Sequence, residues 1–345
     1  MLALRLYGPK DIRLVNMEIP RIEADEILLK VDTAAICGTD IRMWINGSTG
    51  TDKEHPLTLG HEFAGTIVEV GHKVPFYKKG MQVAMQPNIG CGLCDCCVSG
   101  NFHLCNDYRA FGINMDGAFA EYIKVPADAI TKGNLMVLPK NVSPAEAAIT
   151  EPLSCAYNGF TKCHVKPGEY ALVVGAGAIG YCHALLLHMA GAVVLMNDIS
   201  AERLAILKEK LPFVETYAGN DLRGFVDHQT GKRGLDIAIT ACPVPAVQQA
   251  MLPLMNYGGR INFFGGIPEA QQPVAINTNL VHYKELYLTG STRSSIIQFR
   301  KSLAYVAQGL LDVKGMITDT YRLEEIEQAF ENAQQAKGIK HVISF

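Results

Sequence analysis

Tyr170-Ala-Leu-Val-Val-Gly-Ala-Gly-Ala-Ile-Gly180 decides the fold. Tyr170 to Val174 is a short apolar run, as a strand buried on both faces of a parallel sheet must be. Gly175 to Gly180 then spells G-x-G-x-x-G, with Ile179 inside it, and an apolar helix pattern follows. Gly175 permits a tight turn, Gly177 lets a diphosphate approach the backbone, and Gly180 lets helix and strand pack closely. The helix start offers free N–H groups and a positive dipole to phosphate. Asp198 stands 18 residues beyond Gly180, after the next apolar run, Val193 to Met196. That is near the interval of about 20 for a carboxylate accepting ribose hydroxyls. Such a carboxylate repels a 2′-phosphate, so NAD is expected over NADP. Asp198 would also suit a helix N-cap, and Arg203 lies within reach of the adenosine end.

Outward from this turn, strand and helix patterns alternate. Ala171 to Met196 is almost uncharged, but its glycines and its two histidines, His183 and His188, fit a buried βαβ unit better than a membrane span. Further strands are expected at Leu235–Ile239, Arg260–Phe264 and Leu286–Thr289, which gives an α/β doubly wound parallel sheet. Gly265 and Gly266 end a late strand and would let backbone approach a nicotinamide, or simply turn. Upstream, Ser143-Pro-Ala-Glu146 reads as a helix start with a capping box. The first third is β-rich: Glu26–Thr33, Phe63–Val70 and Gly117–Val125 are strand-like, punctuated by Gly71, Gly80 and Pro87. After Gly290 come two helical stretches, Ser295 to Leu310 and Leu323 to Ala336, and a closing strand, His341 to Phe345.

The chain has 345 residues, 48% hydrophobic and 19% charged, with a formal net charge of −3. This fits a globular protein of two domains and gives no electrostatic case for nucleic acid or an anionic membrane. The amino-terminal residues show no long apolar run and no small-residue cleavage site, so a cytoplasmic location is expected. Ten cysteines are many, and five fall between Cys91 and Cys105. A disulfide framework needs an oxidising compartment; close spacing in a reducing one points to metal.

Cys91, Cys94, Cys97 and Cys105 have the form C-x2-C-x2-C-x7-C. Four thiolates suit a tetrahedral zinc and leave no place for substrate, so this zinc is expected to be structural, with Cys96 a spectator. An iron–sulfur cluster has no other sign of electron transfer beside it. A second constellation comprises Cys37, His61, Glu62 and Glu151. One Cys, one His and one or two carboxylates can hold zinc with a position open for chemistry. Spacing alone is weak here: a lone Cys and His 24 residues apart are more often structural, and both glutamates could serve as ion-pair partners.

Taken in order, Cys37-Gly-Thr-Asp40, Gly60-His-Glu62, the four-cysteine lobe, Asp116-Gly-Ala-Phe-Ala-Glu-Tyr122, Glu151-Pro-Leu153 and Gly175 to Gly180 resemble the zinc-containing medium-chain dehydrogenase family over essentially the whole chain. Glu151-Pro-Leu and Cys37-Gly-Thr-Asp-Ile-Arg-Met-Trp44 are similar to its polyol (sorbitol-type) and sugar-alcohol-phosphate branch. The resemblance implies a GroES-like β-barrel catalytic domain, 1–148 with 291–345, and a Rossmann domain, 149–290, with the active site in the cleft between them. It implies one catalytic and one structural zinc, NAD, and a homodimer or homotetramer. The activity implied is oxidation of a secondary alcohol of a small polyol, or of its phosphate, to a ketone. Cys37, His61 and Glu62 would hold the catalytic zinc, with Glu151 a fourth ligand or bound through water, and Thr39 would relay the hydroxyl proton. Arg293 lies where polyol enzymes carry a cleft arginine, though without the commoner Arg-Tyr flank. Trp44 and Phe111 are candidate pocket walls, although aromatics near a β domain are more often core. Arg42, Lys53 and Arg109 are further basic candidates; a converging trio would favour a phosphorylated substrate. L-Threonine and 2,3-butanediol dehydrogenases share much of the pattern. A zinc-independent reductase and a non-catalytic binding protein on the same scaffold are the rival classes.

Overall fold

A computed structural model describes residues 1–345. The chain divides into two compact units, Met1–Ser154 with Ser294–Gly309 and Val313–Phe345, and Cys155–Arg293 with Leu310–Asp312. The first division falls inside the helix Thr150–Lys162.

The first unit is built on a sheet ordered Leu135–Val137, Gln82–Met85, Glu62–Val70, Ile27–Ala35, Lys340–Ser344, Ile317–Arg322. Its pairings are antiparallel except the last, and Tyr122–Val125 shares one edge of Ile27–Ala35 with Lys340–Ser344. Two register shifts along Ile27–Ala35, at Leu28/Leu29 and Val31/Thr33, curl this strand, as bulges do in barrels. Leu4, Leu29, Phe63, Phe119, Phe330 and Ile343 fill the interior, each at most 1% exposed. The expected strand Gly117–Val125 is regular only from Tyr122. Its first residues instead bond the loop before Glu62: Ala118 N–H reaches Gly60 O at 2.9 Å and Phe119 N–H reaches Leu59 O at 2.9 Å. Gly117 is needed for that approach, since a Cβ there would meet Gly60 O.

The second unit holds a six-stranded parallel sheet ordered Glu215–Tyr217, Val193–Asn197, Tyr170–Val174, Leu235–Thr240, Met255–Phe263, Tyr287–Gly290. The order reverses between Tyr170–Val174 and Leu235–Thr240, the switch point at which such sheets bind ligands. Leu235–Thr240 is buried at all six positions, as a strand covered on both faces must be. The strand expected at Arg260–Phe264 begins earlier, at Met255. Gly258 and Gly259 hid that start in the sequence, because glycine lowers any strand reading.

Helix ends follow their signals. Ser143 accepts from Glu146 N–H and Glu146 reaches back to Ser143 N–H. Ser295 and Gln298 form the same box at the start of Ile296–Ala307. No helix is long and apolar enough to cross a membrane.

Candidate active site and metal centres

Cys37 is the N-cap of the helix Gly38–Asn46. The third residue of that helix, Asp40, is fully buried and accepts Cys37 N–H at 2.8 Å. The other Asp40 oxygen lies 3.4 Å from His61 Nδ1 and 3.4 Å from Gly60 N. One carboxylate therefore bonds the cysteine backbone and stands beside the imidazole ring as a counter-charge. Gly60 sits at φ +96, and a Cβ there would lie 2.9 Å from Phe119, so only glycine brings the chain round to present His61. Glu62, fully buried, opens the next strand.

The Cys37, His61 and Glu62 donor atoms all lie within 4.8 Å of one another. Burial works against a charged His61, yet the charges of Asp40 and then Cys37 outweigh it and hold the ring well above the ordinary histidine pKa. A surround that holds a proton this firmly favours any cation placed there. Thiolate, imidazole and carboxylate are the donor types of an open zinc site with three protein ligands. The residues fit zinc.

Glu151, in the first turn of Thr150–Lys162 and 6% exposed, stands outside this group of three donors. Glu62 is already engaged. Lys340, 3% exposed, places its Nζ 2.7 Å from Glu62 Oε1 and 2.5 Å from Oε2, and donates to Ile36 O at 2.9 Å. Burial opposes the lysine charge, but Glu62 foremost, with Cys37 and Glu151, raises its pKa above the ordinary value. Neighbouring strands make the pair possible: Ile27–Ala35 pairs with Lys340–Ser344 on one side and Glu62–Val70 on the other.

Cys91, Cys94, Cys97 and Cys105 bring four sulfurs within 4.8 Å of one another. Cys91 Sγ accepts N–H bonds from Leu93 and Cys94 at 3.4 Å each, which lower its pKa to about 6. Burial pushes Cys97 up to about 12. A Cβ on Gly90 would lie 2.6 Å from Cys97 Sγ, so the loop closes only with glycine there. Lys132 holds the loop by donating to Gly90 O at 2.6 Å. This set also fits zinc, with every position filled by protein. Cys96 is outside it, and none of the ten cysteines is in a disulfide.

In the parallel-sheet unit, Gly175 has φ +115 and Gly177 caps the helix Ala178–Met189, with Ile179 and Gly180 in its first turn. A Cβ on Gly180 would collide with Gly175 O, whereas one on Gly177 would meet only Arg203 Nη1, 4.0 Å away. Gly180 thus serves packing and Gly177 leaves room for a ligand. Asp198 accepts Ala176 N–H at 2.6 Å and Ser200 N–H at 2.8 Å, which ties the carboxylate to the glycine turn. Ser200, not Asp198, is the N-cap of the next helix. Gly265 is pressed against the Cys242 backbone, while Gly266 faces open space.

Among the proposed substrate residues, Phe111 is fully buried and edge-on to Phe63 at 5.7 Å, so it belongs to the core and offers a substrate no surface. Trp44 packs edge-on against Phe330 at 5.8 Å, at the margin of the same core. Thr39 is half-buried and accepts from exposed Arg42 at 2.9 Å. Arg109 is paired with Asp128 beside the cysteine loop. Arg293 is half-buried, at φ +53.

Two residues of the metal site escaped the sequence reading. Asp40 carried a usable signal, an acid at the third helical position after a cap. Lys340 carried none, being 278 residues from Glu62.

The doubly wound sheet with its glycine turn, and the open three-donor metal site, define a zinc-dependent, dinucleotide-linked oxidoreductase. Residues 23–138 match the alcohol dehydrogenase GroES-like domain and residues 178–308 the zinc-binding dehydrogenase domain. The chain belongs to the zinc-containing medium-chain alcohol dehydrogenase family. It is 30% identical to sorbitol dehydrogenase of Bacillus subtilis, covering 98% of this chain and 95% of that protein. It is 30% identical to L-threonine 3-dehydrogenase of Pseudoalteromonas atlantica, covering 99% and 98%. A putative zinc-binding dehydrogenase from Sinorhizobium meliloti, solved bound to NADP, superposes with a TM-score of 0.88 at 29% identity, over 100% of this chain and 99% of that one.

Proposed function

We propose that this protein oxidises a secondary alcohol of a free polyol to a ketose, with NAD as acceptor. The observation that carries the reading is the convergence of Cys37 with the adjacent pair His61 and Glu62, 24 residues away, on one buried point. The full-length likeness to sorbitol dehydrogenase supports the substrate class. When bound, zinc supplies a Lewis acid for the substrate hydroxyl and NAD supplies the hydride acceptor. Asp40 stands beside the His61 ring as a counter-charge, and Lys340 holds the Glu62 carboxylate. Arg42 donates to Thr39, so the threonine oxygen keeps a lone pair for the substrate proton and can pass its own to solvent. Asp198, fixed by two amides, is the ribose acceptor, and Arg203, near both Gly177 and Asp198, lies at the adenosine end. Arg293 is the substrate-binding arginine. A free polyol is preferred to a phosphate because Arg109 is spent on Asp128.

We further assign the protein to the cytoplasm, in keeping with ten cysteines of which none forms a disulfide. A homo-oligomer, dimer or tetramer, would cover the sheet edge at Tyr287–Gly290, where Tyr287 is 64% and nearby Tyr283 72% exposed.

The test is NADH formation over free polyols, polyol phosphates, 2,3-butanediol and L-threonine, with NAD and NADP in parallel. Highest kcat/KM on a free polyol with NAD is expected. Highest kcat/KM on L-threonine, which the Pseudoalteromonas likeness favours, would overturn the substrate class.

A further inference from the structure

Arg293 carries a backbone conformation that L-residues rarely adopt, φ +53. Such strain persists only where surroundings over-determine it. Here three consecutive residues are held by buried side chains. Asn158 Nδ2 donates to Thr292 O at 3.1 Å and to Arg293 O at 3.0 Å. Gln86 Nε2 donates to Ser294 O at 2.8 Å. Ser154 Oγ and Ser294 Oγ lie 2.6 Å apart, and Ser154 Oγ also bonds Glu151 O at 2.6 Å. Asn158 is 3% exposed, and Gln86, Ser154 and Ser294 are fully buried. Gln86 is fixed in turn by Asn134 Nδ2, which reaches Gln86 Oε1 at 3.1 Å and Gln86 O at 2.9 Å.

Glycine adopts positive φ without strain, whereas an arginine there depends on its surroundings. The sequence keeps an arginine, with Asn158 donating to the carbonyls of Thr292 and Arg293 and Gln86 to that of Ser294. The Ser154 hydroxyl, its own proton given to Glu151 O, accepts from the Ser294 hydroxyl. We propose that Asn158, Ser154 and Gln86 are positioning residues for Arg293. They preset the arginine backbone so that its guanidinium meets the substrate's remaining hydroxyls without first being ordered. The inference rests on the reading of Arg293 as the substrate-binding arginine. Asn158 is the main element, since it donates to the carbonyl of Arg293 itself.

The experiment is a double-mutant cycle on the zinc-loaded enzyme, with Asn158→Ala, Arg293→Ala and the pair together. Asn158→Ala is expected to raise KM for the polyol about tenfold, the scale of one to two lost hydrogen bonds, with kcat and KM for NAD within about twofold. In the Arg293→Ala background it should add nothing to KM. Ser154→Ala, a smaller change, should raise polyol KM in the same direction and by less, which keeps the test alive if Asn158→Ala folds poorly. Melting temperatures give a readout independent of turnover: Arg293→Gly should melt above Arg293→Ala, because glycine accepts the turn. A KM effect of Asn158→Ala that persists undiminished without Arg293, or that falls on kcat and both substrates alike, overturns the positioning role. Unchanged polyol KM in Arg293→Ala instead overturns the substrate reading of the arginine.

Discussion

The two metal-ligand clusters of the first unit use the same chemistry in opposite ways. The four-cysteine cluster lies in one loop of fifteen residues, Cys91 to Cys105, and its sulfurs are tuned by that loop's own amides. The Cys37–His61–Glu62 cluster is assembled from two loops and a strand, and its charges are balanced by Asp40 and Lys340. The local cluster satisfies itself; the distributed one depends on the packing of the barrel. A closed local site can be rigid without regard to the rest of the fold, whereas an open site must borrow its rigidity.

The largest expected effect separates the two directly. Cys37→Ser should lower kcat by at least about a thousandfold, the scale of a lost Lewis acid, while the protein stays folded and keeps one zinc per chain. Cys91→Ser should also leave one zinc per chain, but kcat at low temperature should stay within roughly threefold and the melting temperature should fall. Zinc content, kcat and thermal unfolding on both variants check this. If Cys91→Ser abolished turnover at a temperature where it is folded, the cysteine loop would not be purely structural.

Next in size is Lys340. In the zinc-free protein, Lys340→Met removes the cation and leaves the Glu62 carboxylate buried without its counter-ion, which should cost about 3–5 kcal/mol of stability. Glu62→Gln in the same chain should restore most of it. The pH sense follows from the raised lysine pKa: the ion pair's contribution is complete below the unfolded value of about 10.4 and is lost as pH rises through the higher folded value. Urea unfolding at pH 7 checks the difference; a loss under about 1 kcal/mol would mean that Glu62 has other support.

These two variants also mark what could be read from the sequence. The glycine turn, the alternating strands and the cysteine loop are local patterns, and Tyr170–Val174 is a strand with the bounds read from its sequence. Cys37 and His61 were legible as candidates only through their flanking motifs. Lys340 was not legible, because its role depends on strand order, which joins residues 278 positions apart. Asn158 and Gln86 were hidden for a related reason: a polar residue in a helix or at a strand end looks solvated until the fold buries it. Phe111 failed in the opposite sense. Its closeness to site motifs suggested a pocket wall, but packing against Phe63 took it into the core.

The smallest expected effect comes from a buried ionisable group that has no partner, the counterpart of Lys340. His183, in the helix after the glycine turn, is fully buried, edge-on to Phe264 at 5.0 Å, and neither ring nitrogen has a hydrogen-bond partner. Burial alone lowers its pKa to about 3. Unfolded, the same ring titrates near 6.5, so between these values the unfolded chain binds the extra proton. Stability should therefore be independent of His183 above about pH 7 and fall as the solution is acidified, by about 2 kcal/mol at pH 5. His183→Leu removes both the titration and two unpaired polar atoms, at similar volume. Its stability relative to the parent should be equal or slightly higher at pH 8, and the gap should widen by about 2 kcal/mol on going to pH 5. Other titrating groups cancel in the difference, so parallel melting curves from pH 8 to pH 5 would show that the ring finds a partner after all. Lys340 keeps its charge more firmly in the fold and His183 is denied one, and the two variants should accordingly differ in which end of the pH scale exposes them.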